Sequence, residues 1–209
     1  MSRRLANLTL DNLGDLDHEC RDCVFWELDP AAGARACAEG SGALEKEAWV
    51  SDTLLEWGSC GQLVYVDGQA AGHVLYAPPA YVPRSLAFAT SPVAADAVLL
   101  AAITVDPAHA GGGLGRMLVQ GVVRDVSRRG IRAIEAFGRE TVATDEHSAC
   151  LPPADFLRAV GFKTVRAHPK TPRLRLDVRS IVSLREDVEY AIERLFGTIG
   201  AGVTALGNR

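Results

Sequence analysis

The sequence predicts an α/β fold, and three observations support this class. An unbroken apolar run at 98–105 is followed by four glycines within 111–115 and then by apolar residues at helical spacing. An Asp-Gly pair at 67–68 joins two β-rich runs, which is a strong hairpin signal. A second apolar run at 131–137 would lie parallel to the first, because a helix joins the two in a right-handed crossover.

Length, composition and charge restrict the possible classes of protein. The chain has 209 residues, 48% of them hydrophobic and 23% charged, which suits one globular domain over 1–209 with a core at about 60–178. The net charge of −4 argues against nucleic-acid binding. No apolar run approaches the ~20 residues that span a bilayer, and the N-terminus has no signal-peptide pattern. We therefore expect no membrane or nucleic-acid partner, a cytoplasmic location and mostly reduced cysteines.

The N-terminal half combines short polar stretches with one clear helix. Leu8 and Leu10 suggest a short strand, and the small residues at 28–42 suggest a mobile loop. Residues 43–58 predict an amphipathic helix that ends at Gly58, with the charged residues 45–47 facing outward. Four prolines within 77–92 exclude a central strand there, so this segment is either a substrate-facing loop or a simple surface crossing.

The C-terminal half predicts a short helix, a strand pair and a final helix. Residues 152–160 form a helix that closes on Gly161-Phe162. The runs at 162–167 and 174–178 form an antiparallel pair with Arg173 and Arg175 facing outward. The apolar stripe from about 180 to 197 predicts an appended helix that docks on the sheet or pairs between subunits, so a homodimer is one option.

The Gly-rich turn has the physical features of a phosphate-binding site. Glycines allow backbone N–H groups to approach an anion, and the helix start offers unpaired donors at the positive end of its dipole. The dinucleotide fingerprint fits poorly because residue 116 is Arg116, and no Gly-Lys-Ser/Thr follows as in a P-loop. A turn with only a structural role is the remaining alternative.

The motif that fits resembles the acetyl-CoA-binding segment of the GCN5-related N-acetyltransferases. The resemblance rests on Val105-x-Pro107, the glycines at 111–115 and Met117-Leu118, and it extends to the hairpin and to Gly161-Phe162. It implies a mixed, mainly antiparallel sheet with helices on both faces, whose two parallel strands splay apart to admit the pantetheine arm. The implied cofactor-binding residues are Ile103, Thr104, Val105, Ala110, Gly111, Gly112, Gly113, Leu114, Gly115 and Arg116. Ala110 departs from the family pattern, which has Gln or Arg there, and this should remove one side-chain contact.

The resemblance also implies direct attack of an amine on the thioester. The backbone N–H groups of residues 103–105 would hold the carbonyl oxygen. Glu135 is the first choice for the base, with His147 and the hairpin residue His73 as further candidates. The family's usual acid, a tyrosine, is replaced by Leu157, whereas Cys150 occupies a position near the cofactor and could serve as acid or nucleophile.

The pair Cys20-x-x-Cys23 has three possible explanations. It could be half of a zinc site completed by His18, Cys37 or Cys60, a redox pair, or two small packed residues. Because no second paired set follows at regular spacing, we expect no bound metal.

These patterns favour N-acetyl transfer from acetyl-CoA to a primary amine of a small molecule or a protein. The alternative is a non-catalytic acyl-CoA-binding regulatory or interaction protein, which the leucine at 157 and the C-terminal helix motivate. A zinc-dependent module built on Cys20 and Cys23 is the third hypothesis.

Overall fold

Seven strands form one mixed sheet, and the computed structural model describes them within residues 2–140 and 150–178. The strands are β1 (Arg3–Asn7), β2 (Gly61–Val66), β3 (Gln69–Ala77), β4 (Ala97–Val105), β5 (Ala133–Phe137), β6 (Lys163–Arg166) and β7 (Arg173–Asp177). Their order across the sheet is β1-β2-β3-β4-β5-β7-β6, and β4–β5 is the parallel pair among these antiparallel neighbours. The mixed, mainly antiparallel sheet predicted from the sequence is confirmed.

Within these described ranges, five α-helices cover the two faces of the sheet. They are α1 (His18–Asp22), α2 (Pro30–Glu39), α3 (Gly42–Glu56), α4 (Leu114–Arg128) and α5 (Ala154–Ala159). Helices α4 and α5 bury their apolar residues against one face, together with the inward residues of β3, β4, β5 and β7. Helix α3 and the 3-10 turn at Leu10–Asp15 cover the other face, and α1 and α2 pack on α3. None of the helices in the described ranges has the length and hydropathy needed to cross a bilayer.

The hairpin and the crossover follow the sequence signals closely. Asp67 and Gly68 both adopt positive φ in the β2–β3 turn, as the Asp-Gly pair predicts. Strand β4 leads through the glycine turn into α4, which returns the chain to β5 beside it. Helix α4 is amphipathic because Leu118, Val122 and Val126 recur at four-residue spacing on its buried face.

Three predictions for the N-terminal half were wrong. The first strand is Arg3–Asn7 rather than a segment around Leu8 and Leu10. Residues 30–39 form a helix, because Asp29 caps its first turn through the N–H groups of two alanines and Gly40 ends it in the left-handed conformation. Lys46 points inward and pairs with buried Glu27, although its neighbours suggested an outward face.

The C-terminal elements match their predicted order. Helix α5 and the β6–β7 pair lie where the sequence indicated, and Gly161 adopts φ 108° after the helix. Arg173 and Arg175 are not simply outward-facing, because both contact the carboxylate of Glu135. The predicted helix at about 180–197 and the candidate base His147 lie outside the described residues.

Candidate active site

The parallel strands separate where the sequence indicated an opening. Pairing of β4 with β5 runs from Ala97 to Leu99, but β4 continues to Val105. Ala101 is an extra residue in β4, because Leu75 and Tyr76 of β3 pair with residues 102 and 100. Such a bulge redirects the strand and its backbone groups. Beyond Leu99, one edge of β4 still pairs with β3, but the other edge no longer pairs with β5. The backbone N–H and C=O groups of residues 101–105 on that second edge therefore border a gap between β4 and β5.

The glycine turn lies at the end of β4. Gly111 and Gly113 have φ of 74° and 79°, and a Cβ on either would meet nothing within 4 Å. Their role is conformational, because only glycine adopts this backbone at no steric cost. Gly113 is the N-cap of α4, so the N–H groups of residues 114–116 have no partner within the helix and point towards the turn.

Gly115 serves packing rather than conformation. A Cβ at this position would lie 2.9 Å from the ring of Phe156, which is in α5. Arg116 also joins the two helices, because its Nη2 donates to the carbonyl of Ala159 at 3.0 Å. The start of α4 is therefore fixed against α5, and the first-turn donors keep a constant direction.

Arg3 is a cationic residue at the turn that sequence reasoning missed. Its Nη1 donates to the carbonyl of Gly112 at 2.8 Å, although 109 positions separate the two residues. Ala110 is exposed on the same turn and carries no polar side chain. The guanidinium of Arg3 supplies a positive charge near the position where the motif lacks one.

Three cysteines line a small cavity beside β4, on the face of the sheet opposite α4. The Sγ atoms of Cys23 and Cys150 are 3.7 Å apart, and Cys20 Sγ lies 3.8 Å from Thr104 Oγ1. The indole N–H of Trp26 fixes Cys150 by donating to its carbonyl at 3.0 Å. The lining residues are Cys20, Cys23, Trp26, Glu27, Lys46, Leu75, Ala102, Ile103, Thr104 and Cys150. The structure thus brings the sequence candidate Cys150 together with Cys20-x-x-Cys23.

Contact between the two thiols changes both acidities. A hydrogen bond from Cys150 lowers the pKa of Cys23 to about 6, against the opposing effect of burial. The same contact and burial raise the pKa of Cys150. Burial raises the pKa of Cys20 as well. Within the Cys23–Cys150 pair, the contact therefore favours the thiolate on Cys23 and the thiol on Cys150.

A buried ion pair borders the thiol cavity. Lys46 Nζ contacts Glu27 Oε1, and both residues are almost fully buried. A buried charge survives only when it is paired, because removal from water is costly. The zinc interpretation gains no support, since no group of three or more His, Cys, Asp and Glu within residues 2–140 and 150–178 is arranged to hold a metal. Cys37 is exposed and Cys60 is buried in the core.

Glu135, the first choice for the base, occupies a structural position. Its carboxylate is buried, contacts the guanidinium groups of Arg173 and Arg175, and accepts the N–H of Ala94 at 3.2 Å. Two guanidinium groups and a backbone N–H occupy the buried carboxylate, so no room is left beside it for an incoming amine. This geometry argues against Glu135 as the base; the carboxylate instead attaches the segment before β4 to the sheet.

A second, larger cavity of about 340 Å³ lies next to the thiol cavity, and Thr104 lines both. Its other lining residues are Asp15, Asp17, Ala70, Ala71, Gly72, His73, Asp106 and Pro107. His73 lies on β3 directly opposite Thr104 and is 1% exposed. Burial lowers the pKa of His73 to about 4, so its imidazole is neutral at pH 7. Gly72 is required here, because a Cβ would lie 2.5 Å from the carbonyl oxygen of Thr104.

Comparison with known proteins agrees with this arrangement. The model of the Acetyltransferase (GNAT) family matches residues 19–162. No curated protein matches the chain. A PaiA N-acetyltransferase of Thermoplasma acidophilum, solved in complex with coenzyme A, superposes with a TM-score of 0.55 at 11% identity, over 85% of this chain and 99% of that one. An N-acetyltransferase from Staphylococcus aureus Mu50 gives a TM-score of 0.55 at 14% identity, again over 85% and 99%.

Proposed function

We propose that this chain, which belongs to the Acetyltransferase (GNAT) family, transfers the acetyl group of acetyl-CoA directly to a primary amine of a small molecule or a protein. The observation that carries the proposal is the opening between β4 and β5, with the glycine turn at the end of β4. One end of this opening offers strand backbone groups and the other offers helix-start donors. A long ligand with amides and a pyrophosphate requires both.

The cofactor would bind along β4 and over the start of α4. The free backbone groups of Ile103, Thr104 and Val105 would pair with the pantetheine amides, and those of residues 111–116 would bind the pyrophosphate. Arg3 would provide the cationic contact that Ala110 does not.

The reaction would proceed by direct displacement. The neutral amine nitrogen attacks the thioester carbonyl carbon, a C–N bond forms, and the C–S bond to CoA breaks. A backbone N–H among residues 103–105 would stabilise the developing oxyanion. The amine's surplus proton passes, directly or through water, to the Cys23 thiolate, and Cys150 gives its proton to the CoA thiolate, so the thiol pair holds one proton before and after the step.

The proposal is tested by release of free CoA from acetyl-CoA in the presence of a panel of primary amines. We expect amine-dependent release in the unaltered protein, an at least tenfold lower kcat in Cys150→Ala, and unchanged rates in Cys37→Ala, which alters an exposed cysteine. Amine-independent release alone would contradict acetyl transfer.

A non-catalytic acyl-CoA-binding protein is the second candidate. Leu157 is fully buried in the core between α5 and the sheet, so the position that often carries the acid serves only packing here. CoA binding without turnover against the full amine panel would favour this alternative.

A further inference from the structure

The larger cavity carries an unusual concentration of negative charge. Three carboxylates surround it: two come from the end of the 3-10 turn and the N-cap of α1, and one follows β4. They are Asp15, Asp17 and Asp106. The cavity volume of about 340 Å³ is that of a small-molecule site.

The hydrogen bonds that these three carboxylates accept in the described part of the chain come from neutral donors. The hydroxyl of Tyr65 donates to Asp15 Oδ2 at 2.6 Å, and the N–H of Ala108 donates to Asp106 Oδ1 at 2.8 Å. The N–H of Glu19 donates to Asp17 Oδ1 at 3.4 Å. In the described part of the chain none of the three carboxylates forms an ion pair, so their charge is not compensated by a cationic side chain.

His73 gives independent evidence for a ligand. It is buried at the inner wall of this cavity, and its Nε2 has no hydrogen-bond partner among the described residues. A buried imidazole nitrogen without a partner is unfavourable, and an N–H group of a ligand would relieve this. In the tautomer that carries the proton on Nδ1, Nε2 is an acceptor.

We infer that this cavity recognises the acceptor as a small aliphatic dication, such as a diamine, with the neutral imidazole of His73 beside the amino group that reacts. The inference rests on the proposed function, because Thr104 connects the cavity to the strand that would hold the acetyl group. The reacting ammonium must lose its charge before it attacks. A second ammonium that stays charged would keep the carboxylates compensated throughout the reaction.

The test is calorimetric titration of the protein saturated with CoA, which binds the acceptor without turnover. The probes are 1,4-diaminobutane and 1-aminobutane, which share a four-carbon chain but differ by one charge. We expect the diamine to bind about tenfold more tightly, which corresponds to one good additional charge contact. The variant Asp17→Asn with Asp106→Asn should remove this difference, while asparagine still caps both turns.

Asp52→Asn is the matched control, because it removes one exposed carboxylate of α3 outside the cavity, and it should leave the diamine preference intact. Equal binding of the two amines, absence of diamine binding, or a preference that survives the double variant would each overturn the inference. If the inference fails in one of these ways but the protein still binds CoA and acetylates 1-aminobutane, the proposed function stands. Failure to bind CoA would instead count against the proposed function, and titration of the CoA-free protein would still test the cavity.

Discussion

Removing the thiol of Cys150 should change the acidity of Cys23. In the structure the two sulfur atoms are 3.7 Å apart, and the Cys150 hydrogen bond lowers the pKa of Cys23 to about 6. Burial acts in the opposite direction. In Cys150→Ala the stabilising hydrogen bond is lost while much of the burial remains, so the pKa of Cys23 should rise to the ordinary thiol value of 9.0 or above.

The magnitude determines which measurement is informative. At pH 7 the thiolate fraction of Cys23 would fall from about nine-tenths to about one-hundredth, a roughly 90-fold change. A thiolate of higher pKa is intrinsically more nucleophilic, by about 20-fold over this range. The two effects nearly cancel, and the alkylation rate at pH 7 should change only about fourfold. The midpoint of the pH profile should move by about three pH units and is therefore the better readout.

The assay is iodoacetamide alkylation between pH 4.5 and 10, followed by peptide mass spectrometry. Trypsin cleaves after Arg21, so Cys20 and Cys23 fall in separate peptides. We expect a midpoint near pH 6 for Cys23 in the unaltered protein and in the control Cys37→Ala, and one at or above pH 9 in Cys150→Ala. A midpoint near 9 in the unaltered protein, or identical profiles with and without Cys150, would refute the reasoning.

Three further predictions concern stability and cofactor binding. The pKa of His73 is near 6.5 in the unfolded chain but about 4 in the folded protein. As the pH is lowered from 6.5 to 4, the unfolded state therefore takes up a proton first, and the free energy of unfolding should fall by about 3 kcal/mol in urea titrations. His73→Gln should lack this loss, and an equal slope in both proteins would contradict it. Gly115→Ala should destabilise the protein by about 1 kcal/mol net, because a close contact of the new methyl group with Phe156 outweighs the gain in helix propensity. This loss of stability should vanish when Gly115→Ala is made in a Phe156→Leu background. An equal loss in both backgrounds would contradict the packing argument. Arg3→Ala should weaken CoA binding about fivefold at low salt, because Arg3 lies at the glycine turn. Arg4→Ala is the control and should leave CoA binding unchanged, because the guanidinium of Arg4 stacks on Tyr65. Equal effects of the two substitutions would exclude a specific role for Arg3.

Local signals predicted most of the fold. The Asp-Gly turn, the four-residue spacing in α4 and the Gly161-Phe162 closure each act over a few residues, and all three elements formed as expected. The missed helix α2 also had a local signal, since Asp29-Pro30 is a favourable helix start and Gly40 a favourable end. The many small residues at 28–42 instead led to the prediction of a loop.

Sequence reasoning could not find the contacts that define the candidate site. Cys23 and Cys150 are 127 positions apart, and Lys46 of α3 meets Glu27, which lies 19 positions earlier in the turn before α2, so no spacing rule links either pair. Strand alternation identified Glu135 as a polar residue on β5 but gave no indication that arginines on β7 would enclose its carboxylate. Such pairings depend on strand order and helix packing, which tertiary structure alone determines.

The central claim is that the turn at Gly113 holds the pyrophosphate of CoA. Asparagine and aspartate both tolerate the left-handed backbone there, and a Cβ meets nothing within 4 Å, so Gly113→Asn and Gly113→Asp differ mainly in charge. Calorimetric titration with CoA should show micromolar binding to the unaltered protein, modest weakening in Gly113→Asn and at least tenfold further weakening in Gly113→Asp. Equal affinities for the two variants, or no CoA binding to the unaltered protein, would contradict the account.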